Sequence, residues 1–279
     1  MEDQQWLRHL LPLPREIDIA DQLDVHPAQL RLCVTPDANA LAEQAAAELR
    51  QLFADRAECA LNGENFTITL ALADDQGRLT DTPITAERLQ DLPNREQAYL
   101  IQPAGPNQLI IAALDGRGLY YGARTLYQLL AATLTPERVL VPLVHIVDWP
   151  DLDERGLWNF PEEDEWIPWM ASLKLNYGKM TATHLAPIER DKPNQASIER
   201  EQMLEARSRA FNCAPYILHL NFLHDCGLYR AYPELAGRGE SALTGRYLAH
   251  KEGNQHRAPC ASQPKLIEIL SEWMQSIAA

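Results

Sequence analysis

The sequence predicts an α+β domain followed by a run of alternating strands and helices too short to close a barrel. Three observations lead there. Apolar strands and amphipathic helices fill residues 1–147. The stretch Asp148-Trp149-Pro150-Asp151-Leu152-Asp153-Glu154-Arg155-Gly156 then interrupts them, because Pro150 breaks the preceding strand and disfavours helix at Trp149. Beyond it, the 132 residues from Asp148 to Ala279 hold three strand–helix units, whereas a (β/α)8 barrel needs eight units and about 250 residues. The expected domains are therefore 1–147, an antiparallel-rich sheet with helices on one face, and 148–279, an incomplete (β/α)8 barrel. An open three-stranded parallel sheet leaves an unpaired edge, which invites self-association or a partner chain there.

Taken in order, Leu11-Pro12-Leu13-Pro14 is an extended lead-in. A strand is expected over 30–34. Thr35 then offers an N-cap, Pro36 a first helical position and Asp37 an acidic first turn. The helix that follows, to about Ala54, carries Leu41, Ala45, Leu49, Leu52 and Phe53 on one face. Residues 66–72 alternate apolar and polar, and a polar loop follows them. Segments 98–101 and 109–114, joined across Gly105-Pro106-Asn107, read as a hairpin. A helix from Gly118 turns Leu119, Ala123, Leu126, Tyr127 and Leu130 toward the sheet, and 143–147 is the last strand of the domain. In the second part, strands are expected at 156–159, 176–180 and 215–220. Helices are expected at 164–174, 198–210 and 264–277, with a polar loop at 187–195. The loop of about forty residues after 220 is long enough to be functional or mobile.

The formal charge of −14 excludes nucleic acid, whose binding needs cationic contacts, and an anionic membrane surface. Five cysteines (33, 59, 213, 226 and 260), odd in number and without a Cys-x-x-Cys pair, suggest free thiols and not a disulfide framework or a zinc site. The first residues lack a basic-then-apolar signal plan, so a cytoplasmic location is expected.

Two motifs carry a resemblance. Leu109-Ile110-Ile111-Ala112-Ala113 followed by Gly118-Leu119-Tyr120-Tyr121-Gly122-Ala123-Arg124-Thr125-Leu126-Tyr127-Gln128-Leu129-Leu130 resembles the strand-then-helix signature of the small domain in family 20 glycoside hydrolases, the β-N-acetylhexosaminidases. Asp-x-Pro followed by Arg155-Gly156 and an apolar strand resembles the opening of that family's catalytic barrel. Lys174-Leu175-Asn176 matches its Lys-x-Asn at the end of the first barrel helix, and Pro259-Cys260-Ala261-Ser262-Gln263-Pro264 resembles in part the lead-in to the third. The chain departs from the family where His and Asp should follow the first helix, and where Pro-Glu is replaced by Pro215-Tyr216.

The resemblance implies the N-terminal part of a retaining exo-glycosidase that hydrolyses N-acetylhexosaminides with assistance from the substrate. It implies an amino-sugar glycoside as partner and no cofactor or metal. The substrate-binding candidates are Arg155, Trp158, Asn159, His184 and His224. Arg155 offers a donor fork for two hydroxyls, with a salt bridge to Asp151, Asp153 or Glu154 as the plainer alternative. Trp158 offers a stacking platform, whereas Trp166 and Trp169 at helical spacing point to the core. His219 and His224 flank Asn221 without metal-ligand spacing. Asp153-Glu154 and Asp164-Glu165 copy the family's catalytic dipeptide but fall before the first strand and at a helix start. The catalytic pair is therefore expected beyond Ala279, and the chain alone is expected to be inactive. Alternatives are a non-catalytic carbohydrate-binding or scaffold protein, one half of a split enzyme, and an O-GlcNAcase-like or α-glucuronidase-like glycosidase.

Overall fold

The computed structural model describes every residue except 1–2, 37–38, 81, 83, 158–165, 181–182, 216–219, 221–222, 224 and 238–257. Two compact units form: Met1–Gly178 with Leu204–Asn212, and Lys179–Met203 with Cys213–Ala279.

The first unit opens with helix α1 (Asp3–Leu7) and continues through β1 (Glu16–Val25), β2 (Leu30–Val34), α2 (Ala40–Ala57), β3 (Phe66–Leu72), β4 (Tyr99–Pro103), β5 (Gln108–Ala113), α3 (Gly116–Ala131) and β6 (Val139–Asp148). The sheet runs β1-β6-β4-β5-β3-β2. It is antiparallel from β1 to β5 and parallel from β5 to β2. The sheet is thus mixed: each parallel step is bridged by a longer crossover, β2 to β3 by helix α2. Strand β1 has no counterpart in the sequence reading. Its Glu16, Asp18, Asp21 and Asp24 break the apolar signal, and a register shift between Ile19 and Asp21 marks a bulge. At the opposite edge, Leu32 N donates to Leu61 O (3.1 Å) and Gly63 N to Leu30 O (2.8 Å), so the 61–63 segment covers β2.

The start of α2 differs from the sequence expectation. Its N-cap is Asn39, whose Oδ1 accepts from Leu41 N (3.1 Å) and Ala42 N (3.2 Å). Thr35 instead prolongs the sheet, its N–H donating to Leu70 O at 3.0 Å. The helix begins only at Ala40, so Thr35 stands too far ahead of its first N–H groups to cap them, and its backbone extends the sheet instead.

Helices α2 and α3 bury Leu49, Leu52, Phe53, Leu119 and Leu126 against Leu32, Ile68, Ile101, Ile111 and Ile146 of one sheet face. Each such side chain contributes about 1.5–3 kcal/mol on burial. The other face is closed by Leu79, Ile84, Ala86 and Leu89 over Leu100, Ile110 and Ala112. That cover comes from the segment expected as a polar loop. Its apolar residues lie mostly in irregular chain, with Leu89 in a short 3-10 turn, so they have neither a helical nor a strand period.

Burial raises the phenols of Tyr99, Tyr120 and Tyr121 above their ordinary range. The folded state keeps protons that the unfolded chain releases, so the stability they contribute is complete below about pH 10 and is lost above it. Burial lowers the Lys174 ammonium, which acts in the opposite sense as pH rises. Three phenols outweigh one ammonium. The urea midpoint should therefore fall between about pH 10 and pH 12, and a midpoint constant over that interval would contradict the burial.

After β6 the chain continues with β7 (Gly156–Leu157), α4 (Trp166–Ser172) and β8 (Tyr177–Met180), the first unit's part of which ends at Gly178. Strand β7 pairs in parallel with β8, Gly156 opposite Tyr177 and Leu157 opposite Gly178. Trp166 is buried and meets Phe211 edge-on, with ring centroids 5.7 Å apart. Trp169 is not core: it is 47% exposed. Trp166, Ile167, Met170 and Ala171 define the buried face of α4, and at 3.6 residues per turn Trp169 falls roughly 130° from the centre of that face.

The second unit contains an antiparallel hairpin of β9 (Thr183–Leu185) and β10 (Ala196–Ile198). Ile198 pairs with Thr183, so the expected helix from 198 begins later, as α5 (Arg200–Ser208). The chain goes on through β11 (Asn212–Pro215), α6 (Leu228–Ala231) and α7 (Pro264–Ala278). The expected strand 215–220 starts earlier, at Asn212, and most of its remainder lies outside the described residues. Strands β7, β8 and β11 form a small sheet in the order β11-β8-β7. Ile188, Leu228, Tyr232, Leu266, Ile269 and Trp273 form the unit's core. Among the described residues no barrel closes.

Candidate functional site

The constellation around Asp148 lies wholly in the first unit. Asp148 ends β6 opposite Tyr99, the first residue of β4. The Tyr99 hydroxyl donates to Asp148 Oδ2 at 2.7 Å, and Arg15 N donates to Oδ1 at 3.1 Å. Lys174 Nζ donates to the Tyr99 hydroxyl at 2.7 Å and to Asp148 Oδ2 at 3.2 Å. Thr125 Oγ1 on α3 lies 2.5 Å from the same hydroxyl. Lys174 is 4% exposed and Asp148 8%, so this ion pair is withdrawn from water. Burial pushes the Lys174 ammonium below the usual lysine range, and the Asp148 carboxylate opposes that shift.

Arg155 stands one residue before β7. Its Nε and Nη2 donate to Lys174 O at 3.2 and 2.9 Å. Its Nη1 donates to Gln97 Oε1 at 2.8 Å and to Leu152 O at 2.7 Å. The guanidinium carbon also lies 5.4 Å from the centre of the Tyr121 ring. Its acceptors are a side-chain amide and backbone carbonyls, not the carboxylates of Asp151, Asp153 or Glu154. Asn176 grips the same residue from the other side: its Oδ1 accepts from Arg155 N (2.7 Å), and its N–H donates to Arg155 O (2.8 Å). The Lys174-x-Asn176 spacing thus brings one carbonyl and one side-chain amide onto Arg155.

A cavity of about 550 Å³ opens beside this network, lined among others by Leu13, Arg15, Tyr99, Trp149, Arg155 and Lys174. Chemically the arrangement is a clamp. The carboxylate of Asp148 is occupied, and the guanidinium fork is spent on neutral acceptors that fix the backbone ahead of β7. Arg155→Lys keeps the charge and loses the fork. We expect it to lower stability by about 2 kcal/mol, the scale of one charged hydrogen bond. Urea unfolding checks this, and a loss under about 0.5 kcal/mol would place the variant among ordinary surface changes.

Of the other substrate-binding candidates, His184 belongs to the second unit. Its imidazole is 68% exposed and stands 3.8 Å from Glu199 Oε1. Trp158, Asn159 and His224 lie outside the described residues, as do His219, Asn221 and Asp164-Glu165. Sequence reasoning had assigned no chemistry to Asp148, Tyr99 or Gln97. The usable signal was a polar residue at each end of paired apolar strands, beside a lysine closing an apolar helix.

Residues 8–149, just over half of the chain, match glycosyl hydrolase family 20, domain 2. The chain belongs to glycosyl hydrolase family 20. Among solved structures, it is similar to the Vibrio harveyi GH20 exo-β-N-acetylglucosaminidase in complex with N-acetylglucosamine, at 16% identity and a TM-score of 0.62, over 95% of this chain and 44% of that one. The Flavobacterium johnsoniae chitobiase gives 16% identity and a TM-score of 0.64, over 99% and 43%. The Streptomyces plicatus N-acetyl-β-hexosaminidase gives 18% and 0.62, over 95% and 56%. At these identities the likeness is one of fold, and the chain spans about half the length of these structures. The comparison with curated proteins gives no match. The family 20 small domain is thus the six-stranded unit up to β6, and its match ends at Trp149, the residue after Asp148.

Proposed function

We propose that this family 20 chain is the N-terminal part of a retaining exo-glycosidase acting on N-acetylhexosaminides. The family match over 8–149 is the observation that carries the reading. The likeness of 95% of the chain to the V. harveyi enzyme, whose structure holds N-acetylglucosamine, supports it. In this reading β7, β8 and β11 are the first strands of a (β/α)8 barrel.

The reaction would be substrate-assisted. The 2-acetamido oxygen attacks the anomeric carbon and the bond to the leaving oxygen breaks. One carboxylate orients the acetamide, while a neighbouring carboxylic acid protonates the leaving group and later deprotonates water. That pair would come from polypeptide following the third strand–helix unit, in a longer chain or a partner. Arg155 would serve by holding β7 in place, and Trp158 and Asn159, the next residues after Leu157 in the sequence, would remain candidates for binding the sugar.

Hydrolysis of 4-nitrophenyl N-acetyl-β-glucosaminide tests this. A protein extended by the downstream coding sequence should turn the substrate over, and the 279 residues alone should fall at least ~10²–10⁴-fold below it, as for loss of an acid–base group. An extended protein that binds N-acetylglucosamine without turnover would favour a non-catalytic carbohydrate-binding role.

A further inference from the structure

We infer that Lys174 is a positioning residue: the ion pair it makes inside the small domain sets the backbone geometry that presents its carbonyl to Arg155. The inference goes beyond the proposed activity and does not depend on it.

Helix α4 closes with Leu175 N donating to Met170 O (3.1 Å) and Lys174 N to Ala171 O (2.9 Å). This double bond pattern puts a left-handed residue at the helix end, a place that ordinarily falls to glycine. Lys174 occupies it with φ +57°. A side chain in that conformation is strained, so something must hold it. The side chain itself shows what does. Its Nζ is sealed between the Tyr99 hydroxyl and Asp148 Oδ2, with the Tyr99 ring 5.0 Å away. With the ammonium anchored below and the helix fixed above, the Lys174 carbonyl turns outward and accepts both Nε and Nη2 of Arg155. Arg155 in turn carries the pairing of β7 with β8 through its own N–H and carbonyl, which meet Asn176 and Tyr177. One residue therefore links two events. Its side chain reads the end of the small domain's sheet, and its carbonyl fixes the start of the next strand.

The test separates side chain from backbone. Two neutral variants are compared with the full chain, Asp148→Asn with Lys174→Met, and Asp148→Asn with Lys174→Gly. Both remove the buried charges together, which spares the fold an unpaired ion. The readout is hydrogen exchange of the Arg155 Nε–H by 15N NMR, assigned from the signal lost in Arg155→Lys. It is referenced to β3 amides in the same sample, so that global opening is distinguished from local release.

The Met variant should exchange about tenfold faster at Nε, the equivalent of roughly 1.4 kcal/mol of unsupported left-handed strain. The Gly variant, which adopts φ +57° without strain, should stay within about threefold of the parent. Parent-like protection in the Met variant would overturn the inference, because the ion pair would then be dispensable. Equal loss in both variants would overturn it as well, because the geometry at 174 would not be what holds Arg155.

Discussion

Replacing Asp148 by alanine should lower the free energy of unfolding by about 3–5 kcal/mol, the cost of stranding one member of a buried ion pair. The variant leaves the Lys174 ammonium, 4% exposed, with the Tyr99 hydroxyl as its remaining partner, and strips the Tyr99 hydroxyl of its acceptor. Arg15 N loses its acceptor too. Urea unfolding followed by tryptophan fluorescence measures the change. The paired replacement Asp148→Asn with Lys174→Met should recover most of it, because a neutral pair carries no desolvation cost. A loss under about 1 kcal/mol in Asp148→Ala would mean that water reaches the pair and screens it.

The second large effect concerns Gly118. A Cβ there would sit 2.2 Å from Ala98 O and 3.0 Å from the Ala113 Cβ. The nearer neighbour is backbone at the start of β4, so no rotamer change relieves it. Alanine ordinarily gains about 1 kcal/mol over glycine inside a helix. Here the overpacking should exceed that gain, and Gly118→Ala should destabilise by about 2–3 kcal/mol. Gly122, four residues on and on the same helix face, is closed by Ile111 Cγ2 at 2.6 Å. The Gly-x-x-x-Gly spacing in α3 therefore records how closely that helix lies on β4 and β5. Thermal unfolding of Gly118→Ala decides the point, and an unchanged or raised midpoint would show that α3 can step away from the sheet.

These two sites show how differently the sequence exposes its contents. Strand β3 was legible from its alternation, β4 and β5 because central strands covered on both faces read as short apolar runs, and helix α3 from its apolar side. Strand β1 was not, because an edge strand can carry acids such as Asp18, Asp21 and Asp24 at its exposed positions without exposing the core. The 79–92 cover was missed because its apolar residues lie in irregular chain and one short 3-10 turn, without either period. At the site, Arg155 and the Lys174-x-Asn176 pattern were visible as motifs, yet their partners were not. Gln97 and Tyr99 come from one place in the chain and Asp148 from another, and sheet register alone brings the last two opposite each other. The N-cap error has the same origin: Thr35 reads as a cap locally, but it is a sheet donor in three dimensions.

The two margins of the six-stranded sheet limit how this domain can meet other chains. One outer strand carries Glu16, Asp18, Asp21 and Asp24 and is kinked at Ile19/Asp21. The other has Leu30 O and Leu32 N taken up by the 61–63 segment. A foreign strand approaching the first meets clustered negative charge and a broken hydrogen-bond register, and at the second it finds the backbone already answered. The small domain is thereby protected from growing by strand addition into dimers or fibrils. Any surface it shares with another polypeptide has to be built from side chains on its faces and its loops.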